Sequence, residues 1–336
     1  MNIQEMVSRR LINPVGFGGI PIQRLGMKDA IGLLHYAFSR GINLVDTARG
    51  YTDSEEKIGH ALESFGPGVY TATKSMVRSY EDMKRDIEIS LNKMKQDFIF
   101  LYQLHCVNSL QELKKITDME KGALRALTEA RKAGRVKHIG ITGHIPGVLA
   151  EALMLGIFEA VQVPHNIIET ECERVLIPLA VSMDIPVLAM KPAAGGALRR
   201  VALNLRYILS RGTSVALCGM DSKSQVDDNL SVLPNIEKPD EKEMSMLYEE
   251  KALWSGEFCR RCEYCMPCPQ GLNIPFLLLL IAYWERYNLK EWVLERLEGQ
   301  AKKFQDCTGC GECERKCAYG LNIIEMLRKG ADIVRT

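Results

Sequence analysis

Eight times between Val15 and Leu233, a short apolar run gives way to a longer amphipathic one. The short runs predict strands at Val15–Gly18, Ile42–Asp46, Val69–Thr73, Phe98–Leu104, Val136–Ile141, Ala160–Val163, Ile185–Met190 and Ser214–Cys218. The longer ones predict helices at Asp29–Arg40, Ser54–Phe65, Ser79–Lys95, Glu120–Ala133, Pro146–Leu155, Glu171–Met183, Ala197–Ser210 and Ser222–Val232. Strands that are apolar on both faces belong to a buried parallel sheet. Eight β-then-α units in a row predict an α/β fold of the (β/α)8 TIM-barrel kind, compact beside the usual ~250 residues. The competitor is a doubly wound open sheet, which carries G-x-G-x-x-G after its first strand. Gly16-Phe17-Gly18-Gly19-Ile20-Pro21 departs from that pattern at its last position, so the barrel is preferred.

The alternation stops at Pro234. Residues 234–243 (PNIEKPDEKE) are charged and carry two prolines, which predicts a linker. The chain then divides into a barrel over 1–233 and a small, mainly α-helical domain over 244–336. Eight of the 11 cysteines fall in this last part, within 59 positions. They form two runs: Cys259, Cys262, Cys265 and Cys268, then Cys307, Cys310, Cys313 and Cys317. Three thiolates at i, i+3 and i+6 wrap one face of an iron–sulfur cube, and a fourth comes from elsewhere. In two-cluster ferredoxins the fourth cysteine of each run serves the other cluster. By that rule one [4Fe–4S] cluster takes Cys259, Cys262, Cys265 and Cys317, and the other takes Cys307, Cys310, Cys313 and Cys268. The first run closes with x2 instead of x3, and the second lacks the usual proline after its last cysteine, so ligation within each run stays open. Four-cysteine zinc sites usually pair two CxxC units across a longer loop, which these runs do not.

An internal duplication accompanies the cysteines. Cys268-Pro-Gln-Gly-Leu-Asn-Ile and Cys317-Ala-Tyr-Gly-Leu-Asn-Ile lie 49 residues apart, and the first three cysteines of each run are offset by 48. Asn273 and Asn322 are candidate helix caps, and Gly271 and Gly320 are candidate positive-φ turns. Arg260, Arg261, Arg315 and Lys316 lie among the ligands, either to offset cluster charge or as a solvated basic surface.

Composition narrows the partners. The chain has 336 residues, 46% of them apolar, enough for a large core and a smaller one. Lys and Arg number 43 against 42 Asp and Glu, so nothing favours a nucleic-acid partner. MNIQEMVSRR holds no apolar signal region. The longest apolar run, Ile274–Trp284, is too short to span a bilayer and predicts a buried helix. A cytoplasmic protein with metal-bound thiolates is expected, without a membrane partner. Cys106, Cys172 and Cys218 are expected as small core residues, with Cys106 beside His105 a candidate pocket residue.

A barrel gathers its chemistry at the carboxyl ends of its strands. There the sequence places Asp46 after strand two, Tyr51 in the following loop, Lys74 at strand three and His105 at strand four. Singly, these are a cap, a rim residue, a surface ammonium and a core histidine. Together they suit proton transfer to a carbonyl oxygen. A tyrosine titrates near pH ~10, and an adjacent ammonium favours its phenolate. Asp46 would keep Lys74 charged, and His105 would orient the carbonyl.

The set Asp46, Tyr51, Lys74 and His105, with DTARGYTDSEEKIG and LYQLH, resembles the aldo-keto reductases from Val15 to about Leu233. With the cysteine runs, the chain is similar to the branch that carries a C-terminal ferredoxin-like domain. The resemblance implies a catalytic tetrad with Tyr51 as general acid/base, and NADP(H) or NAD(H) as hydride carrier. It implies carboxamide contacts from Thr142 and Gln162, with Asn166 nearby, and a strand-seven end at Met190-Lys191, where many members have an aromatic ring at the Met190 position. Gly195 and Gly196 are expected to open a helix whose N–H groups receive the pyrophosphate. Gly219 to Asn229, with Ser222, Lys223 and Gln225, matches the adenosine-binding stretch, Lys223 being its one basic residue.

Three functions follow as expectations. One is an oxidoreductase interconverting a small carbonyl compound and its alcohol, with clusters passing single electrons to a redox partner protein. Another is an electron-transfer protein on a barrel scaffold. The third is a redox-sensing module that binds dinucleotide without turnover. Substrate and oligomeric state are not written in the sequence. The insertion from Val107 to Met119 is the expected lid.

Overall fold

A computed structural model of the protein describes residues 2–254, 256–300 and 303–334. Eight parallel strands run β1 Val15–Gly18, β2 Leu44–Asp46, β3 Tyr70–Ser75, β4 Ile99–Leu104, β5 Val136–Thr142, β6 Ala160–Pro164, β7 Val187–Met190 and β8 Val215–Gly219. Each pairs with the next, and β8 returns to β1, with Val15 opposite Ala216 and Gly18 opposite Gly219. The sheet is therefore the closed (β/α)8 barrel, not the open doubly wound sheet.

The helices are α1 Ile3–Ser8, α2 Met27–Ser39, α3 Ser54–Phe65, α4 Tyr80–Met94, α5 Leu110–Ile116, α6 Ala123–Lys132, α7 Pro146–Leu153, α8 Leu176–Ser182, α9 Val201–Leu209 and α10 Lys223–Leu230. Beyond them come α11 Glu241–Leu253, α12 Ile274–Glu285, α13 Lys290–Glu298, α14 Glu312–Lys316 and α15 Ile323–Ile333. The apolar stripes of α2 to α10 pack on the outer face of the barrel. Around β4 and β5, for example, Met83, Ile87 and Leu91 of α4 and Leu124 and Leu127 of α6 join Ile99, Tyr102, Ile139 and Ile141 in one core. Gly59 lets α3 and α4 touch, because a Cβ there would lie 2.2 Å from the Lys93 carbonyl oxygen.

Several boundaries differ from the sequence expectation. β7 starts at Val187 because Pro186, before it, has no N–H for a ladder. The helix expected from Glu171 is a 3-10 turn at Glu171–Glu173 and then α8 from Leu176. The expected helix from Ala197 starts at Val201, after Gly195 and Gly196 at φ 66 and 84. The Val107–Met119 insertion contains α5, capped by Ser109, which accepts the Glu112 N–H.

The sequence reading assigns no element before Val15. The structure places α1 there, with a capping box between Asn2 and Glu5. Its Ile3 and Met6 share a buried cluster with Leu44, Ala72, Leu101, Ala160, Leu188, Val215 and Leu217. These strand residues lie toward the amino-terminal end of the barrel, so α1 plugs that end with side chains.

By backbone contacts the chain forms two compact units, one of residues 1–193 and 200–243, the other of 194–199 and 244–336. In the second, Leu277, Leu280 and Ile281 of α12 pack with Val293, Phe304, Ile323 and Leu327. Among the described residues no helix is long and apolar enough to cross a membrane.

Candidate active site and cysteine recesses

The carboxyl ends of β2, β3 and β4 bring the four titratable residues together. Asp46 closes β2 and Lys74 lies one residue before the end of β3. The Lys74 ammonium donates to Asp46 Oδ2 at 2.5 Å and to the Thr47 carbonyl at 2.8 Å. Both side chains are buried, Lys74 to 1% exposure and Asp46 to 4%. Burial pushes the Asp46 carboxyl up and the Lys74 ammonium down, since each charge loses water, and their attraction opposes both shifts. Each member is the other's counter-ion.

Tyr51 and His105 are half-buried. Lys74 Nζ lies 5.3 Å from the centre of the Tyr51 ring. The Tyr51 and His105 rings meet edge to face, with centroids 6.2 Å apart. Backbone bonds fix the loops that carry them. The His105 N–H donates to Ser75 O at 2.9 Å, and the Tyr51 N–H to Ala48 O at 3.0 Å.

Two buried glutamines complete the Asp46 environment. Gln103 of β4 donates to Oδ1 at 3.2 Å, and Gln162 of β6 donates to Oδ2 at 3.3 Å. Only an amide N–H can face a carboxylate, so each Oε1 points elsewhere. Neither Oε1 has a hydrogen-bond partner among the described residues, and both are buried. An orphaned acceptor of this kind fits an amide donor from a bound group such as a carboxamide. Gln103 was not legible as a site residue, since its contact to Asp46 spans two strands of a closed barrel.

The remaining cofactor candidates divide. Thr142 Oγ1 is buried at the end of β5 and accepts the Cys106 N–H at 3.4 Å. Asn166 is committed within the chain. It donates to Glu169 at 2.9 Å and to the Lys191 carbonyl at 3.1 Å, and it accepts the Ile168 and Glu169 N–H groups. It therefore shapes the Lys191 turn, where φ is 56. Gly195 and Gly196 do not open a helix, and α9 starts at Val201, five residues after Gly196. The expected helix N-terminus at these glycines is absent because their backbone lies in the left-handed region.

At the β8 end, Gly219 leads into α10, where Ser222 accepts the Gln225 N–H and Gln225 Oε1 accepts the Asp221 N–H at 2.8 Å. Lys223 Nζ lies 5.2 Å from the Tyr36 ring, and Asn229 is buried. Arg24 pairs with Asp221 from the 3-10 turn Pro21–Arg24, adding a second cation to this stretch. The sequence hides it, because the two residues stand almost two hundred positions apart.

In the second unit the eight thiols line two recesses. Cys259, Cys262, Cys265 and Cys317 line one, and Cys268, Cys307, Cys310 and Cys313 line the other. Two recesses with four thiols each match the duplicated sequence. Among the described residues no three His, Cys, Asp or Glu side chains are placed to share one metal ion, so the thiols ring a space and do not meet at a point. Burial, then the Cys259 and Cys262 thiols, push Cys265 up to about 12. Burial likewise raises Cys313. Thiols crowded this way become ligands when a cationic core draws off their protons, which is the chemistry of a metal cluster.

Gly271 and Gly320 take positive φ, 74 and 61. Asn273 caps α12 by accepting the Phe276 N–H at 3.3 Å. Asn322 makes no such bond, and the Glu314 carboxylate takes the Ile324 N–H at 2.9 Å in its place. Arg260 stacks on Tyr319, 3.8 Å from its ring centre, at the rim of the first recess.

Comparisons with known proteins agree with both halves. The model of the aldo/keto reductase family matches residues 14–204, and that of a 4Fe-4S dicluster domain matches 258–322. Aldo-keto reductase YhdN of Bacillus subtilis is 27% identical over 167 residues, 46% of this chain and 48% of that protein. The chain thus spans about half the length of the curated relatives it matches. Among solved structures, aldo-keto reductase AKR11C1 from Bacillus halodurans (holo form) superimposes with a TM-score of 0.62 at 21% identity, over 71% of this chain and 92% of that one. An aldo-keto reductase from Klebsiella pneumoniae in complex with NADPH gives 0.59 at 20% identity, over 71% and 90%. At these identities the structural likeness shows the fold, while the family model covers more than half of the chain: the chain belongs to the aldo/keto reductase family.

Proposed function

We propose that the barrel is an oxidoreductase interconverting a small-molecule carbonyl compound and its alcohol with NADP(H) or NAD(H), and that the C-terminal unit carries two [4Fe–4S] clusters. The observation that carries this reading is the convergence of Tyr51, His105 and the buried Lys74–Asp46 pair at the strand ends. A bound nicotinamide supplies or accepts the hydride. Tyr51 Oη then gives its proton to the carbonyl oxygen, or takes it from the alcohol. The Lys74 charge stabilises the phenolate left behind, Asp46 holds that ammonium in place, and His105 orients the oxygen. Gln162 Oε1 and Thr142 are the proposed carboxamide contacts. Lys191 is proposed for the phosphates, and Gly219, Ser222, Lys223, Gln225 and Asn229, now with Arg24, for the adenosine end. The Klebsiella pneumoniae structure in complex with NADPH supports the choice of carrier.

The grouping of thiols supports crossed ligation, with Cys317 completing the first set and Cys268 the second. A bound cluster supplies or accepts one electron, so exchange with a redox partner protein is proposed for this unit. Thiols kept reduced fit a cytoplasmic setting. The electron-transfer reading is favoured by one observation: Asn166 is committed internally and Gly195 and Gly196 form no helix N-terminus, which leaves two expected dinucleotide contacts unmade.

Titration of the anaerobically purified protein with NADPH and NADH, followed by nicotinamide fluorescence, separates the readings. The reductase reading expects saturable binding that Gln162→Ala weakens about tenfold, the loss of one or two hydrogen bonds. Absence of binding by either dinucleotide, with the clusters still reducible, leaves the electron-transfer reading.

A further inference from the structure

Just past β4, Cys106 stands in the left-handed region at φ 59, a strained conformation for a residue with a side chain. Its Sγ lies 3.7 Å from His144 Nδ1. Asn108 Nδ2 donates to the same sulfur at 3.3 Å, while Asn108 Oδ1 accepts the His144 N–H at 2.8 Å. A brace holds this group. The Asn108 N–H donates to Glu112 at 2.9 Å, and Glu112 pairs with Arg78 at 3.1 Å. Arg78 also donates to the carbonyl oxygens of His105 and Cys106, both at 3.0 Å.

The other cysteines differ. Cys172 and Cys218 are buried, and burial pushes both thiols up, Cys218 to about 12. The remaining eight line the two recesses. Cys106 combines partial exposure with a base and an amide donor on its sulfur.

We propose that Cys106, His144 and Asn108 form a nucleophilic-thiol site that takes α,β-unsaturated carbonyl compounds by conjugate addition. The His144 imidazole accepts the Sγ proton, and the Asn108 N–H stabilises the negative sulfur. The sulfur forms a bond to the β-carbon, and the alkene π pair shifts toward the carbonyl oxygen as an enolate. The imidazolium returns its proton to the α-carbon. The adduct is a thioether, and no oxidant or reductant is consumed. The Cys106 N–H rests on Thr142 Oγ1 at the end of β5, and His105 of the tetrad precedes Cys106 in the chain. The site stands on its own geometry and not on the reductase reading.

The test uses the full chain with its clusters, under anaerobic conditions at pH 7, with limiting N-ethylmaleimide as the unsaturated carbonyl probe. Adducts are mapped by peptide mass spectrometry. Cys106 is expected to be labelled first, at about ten times the rate of glutathione, which has no imidazole or amide donor held on its sulfur. His144→Phe and, separately, Asn108→Ala are expected to slow it several-fold, and Cys106→Ser to remove the adduct. A wild-type Cys106 rate no higher than that of glutathione overturns the proposal without recourse to any variant. An unchanged rate in a folded His144→Phe protein also overturns it.

Discussion

Asp46 is the residue on which the barrel site turns. It is buried, and its two oxygens receive Lys74, Gln103 and Gln162. Asp46→Asn removes the one carboxylate that the buried Lys74 ammonium bonds among the described residues, so a loss of about 3–5 kcal/mol is expected, the usual cost of breaking a buried pair from one side. That loss depends on pH. Without Asp46, burial acts on Lys74 opposed only by the Glu55 charge and lowers its folded-state pKa further. Above the unfolded lysine value neither state holds the proton, and the penalty vanishes. As pH falls through that value the unfolded chain binds the proton first, and the variant loses stability. Denaturant midpoints of wild type and Asp46→Asn at pH 7 and pH 10 check this: the gap narrows at pH 10, and a constant gap contradicts it. Asp46, Tyr51, Lys74 and His105 were legible from sequence because each occupies a strand end or the loop after one, and strand ends follow from apolar periodicity. Gln103, Arg24 and the Asn108 brace were not. Their roles depend on which strands and loops close on one another in space, and local pattern does not encode that.

At the scale of elements, the eight strands and eight partner helices followed from the alternation of short and long apolar runs. Their edges did not, because Pro186 trims β7 and the glycines before α9 delay it. The element without a sequence signal is α1, six residues long and held by its docking more than by helix propensity. Ile3 is buried in the cluster that closes the amino-terminal end of the barrel. Ile3→Ala is therefore expected to cost about 2–4 kcal/mol, in the range for large-to-small core changes. Chemical denaturation reads this out, and a change below about 0.5 kcal/mol would mean that α1 is no plug.

At the scale of the molecule, the chain joins two units with different sources of stability. The barrel buries a large apolar core of its own. The second unit is small, and eight of its side chains are thiols around two recesses, so bound clusters would add much of its folding free energy. Iron chelation under reducing conditions is expected to melt α12 to α15 while the barrel keeps its cooperative transition. Circular dichroism with amide hydrogen exchange distinguishes this from loss of the whole fold or of neither part. The duplication and cysteine spacing made the thiol sets legible, since ligand geometry dictates spacing. What the sequence withheld was the surroundings, such as Arg260 stacked on Tyr319 and Glu314 in place of Asn322 at the start of α15.

The central claim is hydride transfer at the Tyr51 site. It is tested by supplying nicotinamide deuterated at C4 with a panel of small aldehydes and ketones, and measuring deuterium on the product carbon by mass spectrometry. The account predicts label on the carbinol carbon with wild-type protein and a fall of about 100-fold or more with Tyr51→Phe, the usual scale for losing a general acid. Dinucleotide bound without label on any product, or full transfer by Tyr51→Phe, would contradict it.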